Sequence, residues 1–175
     1  MSSSLYDATI ASFSQTLGAV EGYLARSLEH LRTQNVDPED IVATRLYPDM
    51  LPFSYQVRST ISHSVGAVEA VRRGVFDPAK NHGAELDYAG LQAAIAQARQ
   101  TIAGISADEV NGFEGRDMKF QFGERVVPFT AESFLLSFSL PNFYFHASMA
   151  YGILRSKGVP LGKRDFMGQL RIKRS

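Results

Sequence analysis

The sequence predicts an all-α protein: a four-helix bundle with one small β-hairpin placed before the last helix. Three observations carry that reading. Ile10, Phe13, Leu17, Val20, Leu24, Leu28 and Leu31 recur at intervals of three and four, one unbroken apolar stripe. Two later segments repeat that periodicity, and the stretch from Phe134 holds the longest apolar and aromatic run in the chain. Only Asp117–Phe122 alternates with the period of a strand, and Val126–Phe129 follows it after a turn.

The bulk composition suits one soluble domain spanning residues 1–175. Hydrophobic residues make up 45% and charged residues 21%, ordinary values for a globular protein. Lysine plus arginine equals aspartate plus glutamate at 18 each, so no net field draws in nucleic acid or an anionic membrane. The absence of cysteine removes disulfides, thiolate nucleophiles and Cys-ligated metals. The N-terminal residues lack the basic and apolar regions of a signal peptide, and no window reaches the ~18 apolar residues of a membrane span. The expectation is a cytoplasmic protein.

In chain order, Ser2 to Ser4 offer N-caps to the first helix, with Asp7 in its first turn where the helix dipole favours an anion. His30 falls at the other end, where a protonated imidazole suits the dipole. Asn35 and Asp37-Pro38 stop the helix, and residues 37–52 form a connection with a short helical turn at 38–42. Pro52 opens a second helix that runs to about Arg73 and stops at Gly74. One face carries Phe53, Val57, Ile61, Val65, Val68 and Val75, and another carries Arg58, Glu69, Arg72 and Arg73. The third face sets His63 among Ser59, Thr60, Gly66, Ala67 and Ala70. Small residues there let another helix approach closely, or leave a hollow that the imidazole points into. His82 lies in a polar loop and is assigned no role.

Asp87 caps a third helix, Tyr88 to Ile105, with Leu91, Ile95, Ala98 and Ile102 facing inward. Residues 106–129 leave the helical pattern and contain the hairpin. The last helical region opens at Thr130–Glu132. Pro141 either kinks it or lets a new helix start with Ser139 as cap, and Gly158 and Pro160 end it. The basic tail is a solvated end, with Phe166, Met167 and Leu170 able to dock back.

Several chemistries are excluded by motif. There is no glycine-rich phosphate loop, no dinucleotide fingerprint, no nucleophile elbow and no Glu-x-x-His di-iron pattern. What stands out is Asn142 and His146, four residues apart within the last apolar run. At 100° per residue, His146 falls at the centre of the stripe formed by Leu135, Phe143, Met149, Ala150 and Ile153, with Asn142 one turn before it. Buried polar groups need partners, so this pair implies a hydrogen-bond network or a ligand. An i, i+4 pair also projects side by side as zinc pairs do, and His63 from a neighbouring helix could close a three-ligand set. A metal site, a self-satisfied polar core and a small-molecule pocket all remain open on residue chemistry. Tyr144 and Tyr151 are expected near the rim.

Two segments carry a resemblance. RLYPDMLPFSYQV (45–57) and LPNFYFHASMAYGILRSKGVPLGKRDFMG (140–168) resemble the domain-of-unknown-function family DUF1993, within the DinB/YfiT-like superfamily. The resemblance implies an up-down-down-up four-helix bundle that forms homodimers. It also implies a divalent metal, zinc or nickel, on one histidine of the second helix and an H-x-x-x-H pair of the fourth, used by metal-dependent transferases or hydrolases. Position by position these are His63, Asn142 and His146, so asparagine stands where the pair has its first histidine. A non-catalytic dimer that binds a small molecule or protein partner is the alternative.

Overall fold

The computed structural model describes residues 4–81 and 84–173, and His82 lies outside them. The chain is mostly helical with one small three-stranded sheet. Helix α1 (Leu5–Ala8) is capped by the Ser4 hydroxyl, and α2 (Ile10–Thr33) follows after a break at Thr9. The break has a local cause: the Thr9 hydroxyl donates to the Leu5 carbonyl at 2.6 Å, competing with the backbone ladder. Along α2 the expected stripe is buried at Ile10, Phe13, Leu17, Val20, Leu24 and Leu31, with Leu28 half-buried.

Helix α3 (Pro38–Val42) is capped by Asp37. The second long helix is not continuous. It divides into α4 (Phe53–Ser62) and α5 (Val65–Arg73), with Ser64 at φ −116° and ψ −87°. Hydroxyls cause this too: Thr60 donates to the Gln56 carbonyl at 2.9 Å and Ser64 to the Thr60 carbonyl at 2.8 Å, just before Gly66. Arg58, expected on a solvated charged face, is 9% exposed and pairs with Glu85 at 2.5 Å.

Gly74, at φ +74°, takes the left-handed conformation that ends α5. Val75 therefore leaves the helix and belongs to strand β1 (Val75–Phe76), not to the helical stripe. Short helix α6 (Pro78–Asn81) follows. Helix α7 (Tyr88–Ala103) is capped by Asp87, which accepts from the Gly90 N–H at 2.7 Å, and it buries Leu91, Ile95, Ala98 and Ile102. The next stretch adds a helix that periodicity did not reveal, α8 (Ala107–Asn111), capped by Ser106.

Strands β2 (Asp117–Phe122) and β3 (Arg125–Thr130) pair antiparallel around Gly123 and Glu124. Strand β1 pairs parallel with β2, Phe76 opposite Phe120, so the sheet has an edge that the alternation alone did not predict. Helix α9 (Ala131–Ser133), capped by Thr130, leads into a π-helical segment, Phe134–Ser139, and then α10 (Leu140–Ser156). A new helix starts at Leu140 with Ser139 at its N-cap position, though the Ser139 side chain makes no capping hydrogen bond. Instead the Leu140 N–H reaches five residues back to the Leu135 carbonyl, and Pro141 enters the first turn of α10, where a missing donor is tolerated.

Helix α11 (Lys163–Met167) turns the tail back along α2, and Phe166 meets Tyr151 edge-on at 5.8 Å. In the core α2 lies against α7 and α10 against α4. Phe13 and Phe143 meet edge-on at 4.8 Å. The buried Tyr23 and Tyr88 hydroxyls donate to the carbonyls of Ala147 and Leu24.

Candidate functional site

The site begins with the two irregular places just described. The break after α4 puts His63 at its C-terminal end, and the carbonyl of His63 accepts from the Ser139 hydroxyl at 2.9 Å. Ser139 ends the π segment, so the interruption in one helix is tied to the interruption in the other. Small buried residues on α4, Ser59 and Thr60 among them, let α10 come close. His63 and His146 then face each other with ring centroids 5.7 Å apart and planes 11° from parallel.

Both imidazoles and Asn142 line one cavity of about 380 Å³ between the helices and the sheet. That size is at the small end of the usual ~300–1,000 Å³ range for ligand pockets. Phe76 of β1, Phe120 and Phe122 of β2, Phe138 of the π segment and Tyr55 of α4 supply aromatic walls. His63 is 6% exposed, lying 5.3 Å from Phe76 and 5.6 Å from Phe138. His146 is half-buried beside Tyr55 and Phe145. It flanks the buried stripe of α10 (Phe143, Ala147, Ala150, Ile153, Leu154), where the helical count had placed it at the centre. Ala147 and Leu154 are buried while Met149, on the opposite side of His146, is only half-buried, and this moves the centre of the stripe away from His146.

Gln56 is the residue that the sequence did not single out. Its amide nitrogen donates to the Leu51 carbonyl at 2.9 Å, which turns its oxygen to His146 Nδ1 at 2.8 Å. An accepting oxygen there places the proton on Nδ1 and, in the neutral ring, the lone pair on Nε2. Glutamine at 56 is 3% exposed, three residues after Phe53 of the apolar stripe, and that spacing was the available signal. Asn142 does something different: its Nδ2 donates to the carbonyl of Phe138 in its own helix at 2.7 Å. Part of its polarity therefore serves the π segment.

Tyr144 and Tyr151 do not belong to the rim. Two and five residues separate them from His146, about 200° and 140° around the helix, so they point to other faces. Tyr144 is 39% exposed, and Tyr151 packs on Tyr23 and Phe166. Arg125, at the start of β3, lines the cavity instead. A larger open groove, about 1150 Å³, runs between α2, α7 and the tail past Lys163 and Arg164. It holds no histidine, and its Arg99 is paired with Glu21.

The three-ligand divalent site implied by the resemblance needs donors that the cavity supplies only in part. His63 and His146 offer imidazoles, whereas Asn142 offers a neutral amide, a weak ligand for zinc or nickel. Among the described residues no group of three His, Cys, Asp or Glu side chains is placed to hold a metal ion. The residues do not fit the triad. Nor, among the described residues, is any helix long and apolar enough to cross a membrane.

The family model described as a domain of unknown function, DUF1993, matches residues 5–167. No curated protein matches the chain. Among solved structures, a DinB family member protein from Shewanella denitrificans superposes with a TM-score of 0.78 at 23% identity, covering 98% of this chain and 96% of that one. At that identity the likeness bears on the fold. The match spans nearly the whole sequence, and on it the chain belongs to the DUF1993 family.

Proposed function

We propose that this protein is an up-down-down-up four-helix bundle whose cavity beside the sheet binds a small molecule, oriented by His63 and His146. The observation that carries this reading is the pair of near-parallel imidazoles, from two separate helices, on the wall of an aromatic-lined hollow. Gln56 meets His146 at Nδ1, Ser139 meets the His63 carbonyl, and both histidines line the cavity. The reading is one of binding, with no residue assigned to a chemical step.

A divalent ion on the two imidazoles is the second reading. The Gln56 contact favours it, because metal-bound histidines commonly give their other ring nitrogen to such a partner. Metal analysis of untagged protein, followed by zinc and nickel titration, separates the two. We expect no stoichiometric ion. About one ion per chain, lost in both His63→Ala and His146→Ala, would replace the ligand pocket with a metal site. Self-association belongs to the same proposal: Tyr144 and Phe145 on α10, with Leu46, Tyr47 and Leu51 before α4, keep large apolar surfaces exposed. Sedimentation equilibrium should give a dimer, and Tyr144→Lys with Phe145→Lys should give a monomer.

A further inference from the structure

Resting on that pocket reading, we propose that the occupant is a small flat anion, an aromatic or conjugated carboxylate, whose charged group is met by Arg125. The argument starts from strand register. In an antiparallel pair, opposed residues share one face, and alternate residues return to it. Met118 opposes Phe129, Phe120 opposes Val127, and Phe122 opposes Arg125, so these six side chains form one face of the β2–β3 pair. Met118 is buried, Phe120 half-buried, and Phe122 and Arg125 exposed. The face is therefore graded, from core to a cation beside an aromatic ring at the tip. The cavity takes its wall from the outer part of it: Phe120, Phe122 and Arg125.

Charge gives the second step. Among the described residues, the titratable groups of the lining are Arg125, His63, His146 and Tyr55, with no aspartate or glutamate. A cavity so built stabilises negative charge, and guanidinium offers a carboxylate two parallel N–H donors. Aromatic walls alone could equally suit a quaternary ammonium through their π faces, but an arginine at the same mouth opposes a cation. A flat conjugated body with one anionic group satisfies both halves of the lining. Its ring lies against Phe76, Phe120 and Phe138, and its carboxylate faces outward to Arg125 with His146 alongside. The volume, at the small end of the range for ligand pockets, suits a compact body rather than a long chain.

Three probes built on one phenyl ring and differing in charge test this: the isosteric pair benzoate and benzamide, and benzyltrimethylammonium, titrated at millimolar concentration against wild type and Arg125→Gln. Histidine ring resonances report occupancy. Expected is benzoate binding roughly tenfold tighter than benzamide in wild type, with the preference gone in Arg125→Gln. Equal affinities, a preference for the ammonium, or a benzoate affinity indifferent to Arg125→Gln would overturn the anion assignment while leaving the pocket standing. If none of the three shifts the His63 and His146 resonances, the pocket reading falls and this inference falls with it. Arg125 is exposed beside a turn, so thermal melts of the variant should match wild type and confirm that it is folded.

Discussion

Two helix–helix contacts in this molecule follow different rules. Where α2 meets α7, both helices run unbroken and the buried residues are almost all apolar: Leu17, Val20 and Leu24 on one, Leu91, Ile95 and Ile102 on the other. Where α4 meets α10, serines, threonines, a glutamine and a histidine are buried together, and both partners lose their α-helical register at the same level. Side-chain hydroxyls explain the coincidence. They take carbonyls from the ladder, interrupt it, and the freed groups find partners across the gap, as Ser139 finds the His63 carbonyl. A regular contact gives the fold its stability; the irregular one opens the hollow.

Truncation should separate the two contacts most clearly. Ile95→Ala empties a fully buried position on α7 and should cost about 2–5 kcal/mol in urea unfolding. The ring resonances of His63 and His146 should stay in place below the transition. A loss under about 2 kcal/mol would mean that the α2–α7 side relaxes around the void and is not the rigid half.

Smaller and more local is the expected effect of Ser139→Ala. It leaves the buried His63 carbonyl without the donor that crosses from the π segment, at about 1–3 kcal/mol. The His63 ring signal should move with it. An unchanged signal and unchanged stability would show that the two helix breaks are independent. Weaker again is Gln56→Leu, which keeps the bulk and removes both amide contacts, for about 1 kcal/mol. Its distinctive readout is ¹⁵N shifts of the His146 ring, which should lose the strong bias toward the Nδ1-protonated tautomer. A tautomer ratio identical to wild type would remove Gln56 from the site.

The regular half was legible because periodicity reads it directly. Every stripe residue named on α2 and α7 is at least half-buried, and Asp87 caps α7 as its position suggested. The irregular half was legible in its residues but not in its geometry. Asn142 and His146 stood out as polar groups on an apolar face and His63 as a histidine among small residues, and the three line one cavity. The break at His63 was hidden because a helical wheel counts serine as a small residue and ignores its hydroxyl as a rival donor. The π segment was hidden because Pro141 announces that something changes without saying what. Phe76 could not be placed, since its pairing with Phe120, far along the chain, brings it to the cavity, and Arg125 comes with the hairpin that this pairing docks there.

The least effect should come from the ion pair that links the irregular half to its surroundings. Arg72 of α5 donates to Glu109 of α8 at 2.7 Å, and that hydrogen bond holds the Glu109 carboxyl below its ordinary value of 4.5. A depressed carboxylate adds stability that is present above the unfolded value and fades as pH falls through it toward the folded one. Both partners are substantially exposed, at 41% and 34%, so solvent and salt screen the pair to below about 1 kcal/mol. Glu109→Gln should therefore leave the neutral-pH melt nearly unchanged and slightly flatten the loss of stability on going below pH 4.5. Raising the salt concentration should shrink the difference between wild type and variant. A loss of several kcal/mol at neutral pH would mean that α5, cut off from α4 by the break at His63, is held by charge rather than by Val68 and Val71 in the core. The difference between the two contacts would then extend beyond the cavity to the whole second half of the broken helix.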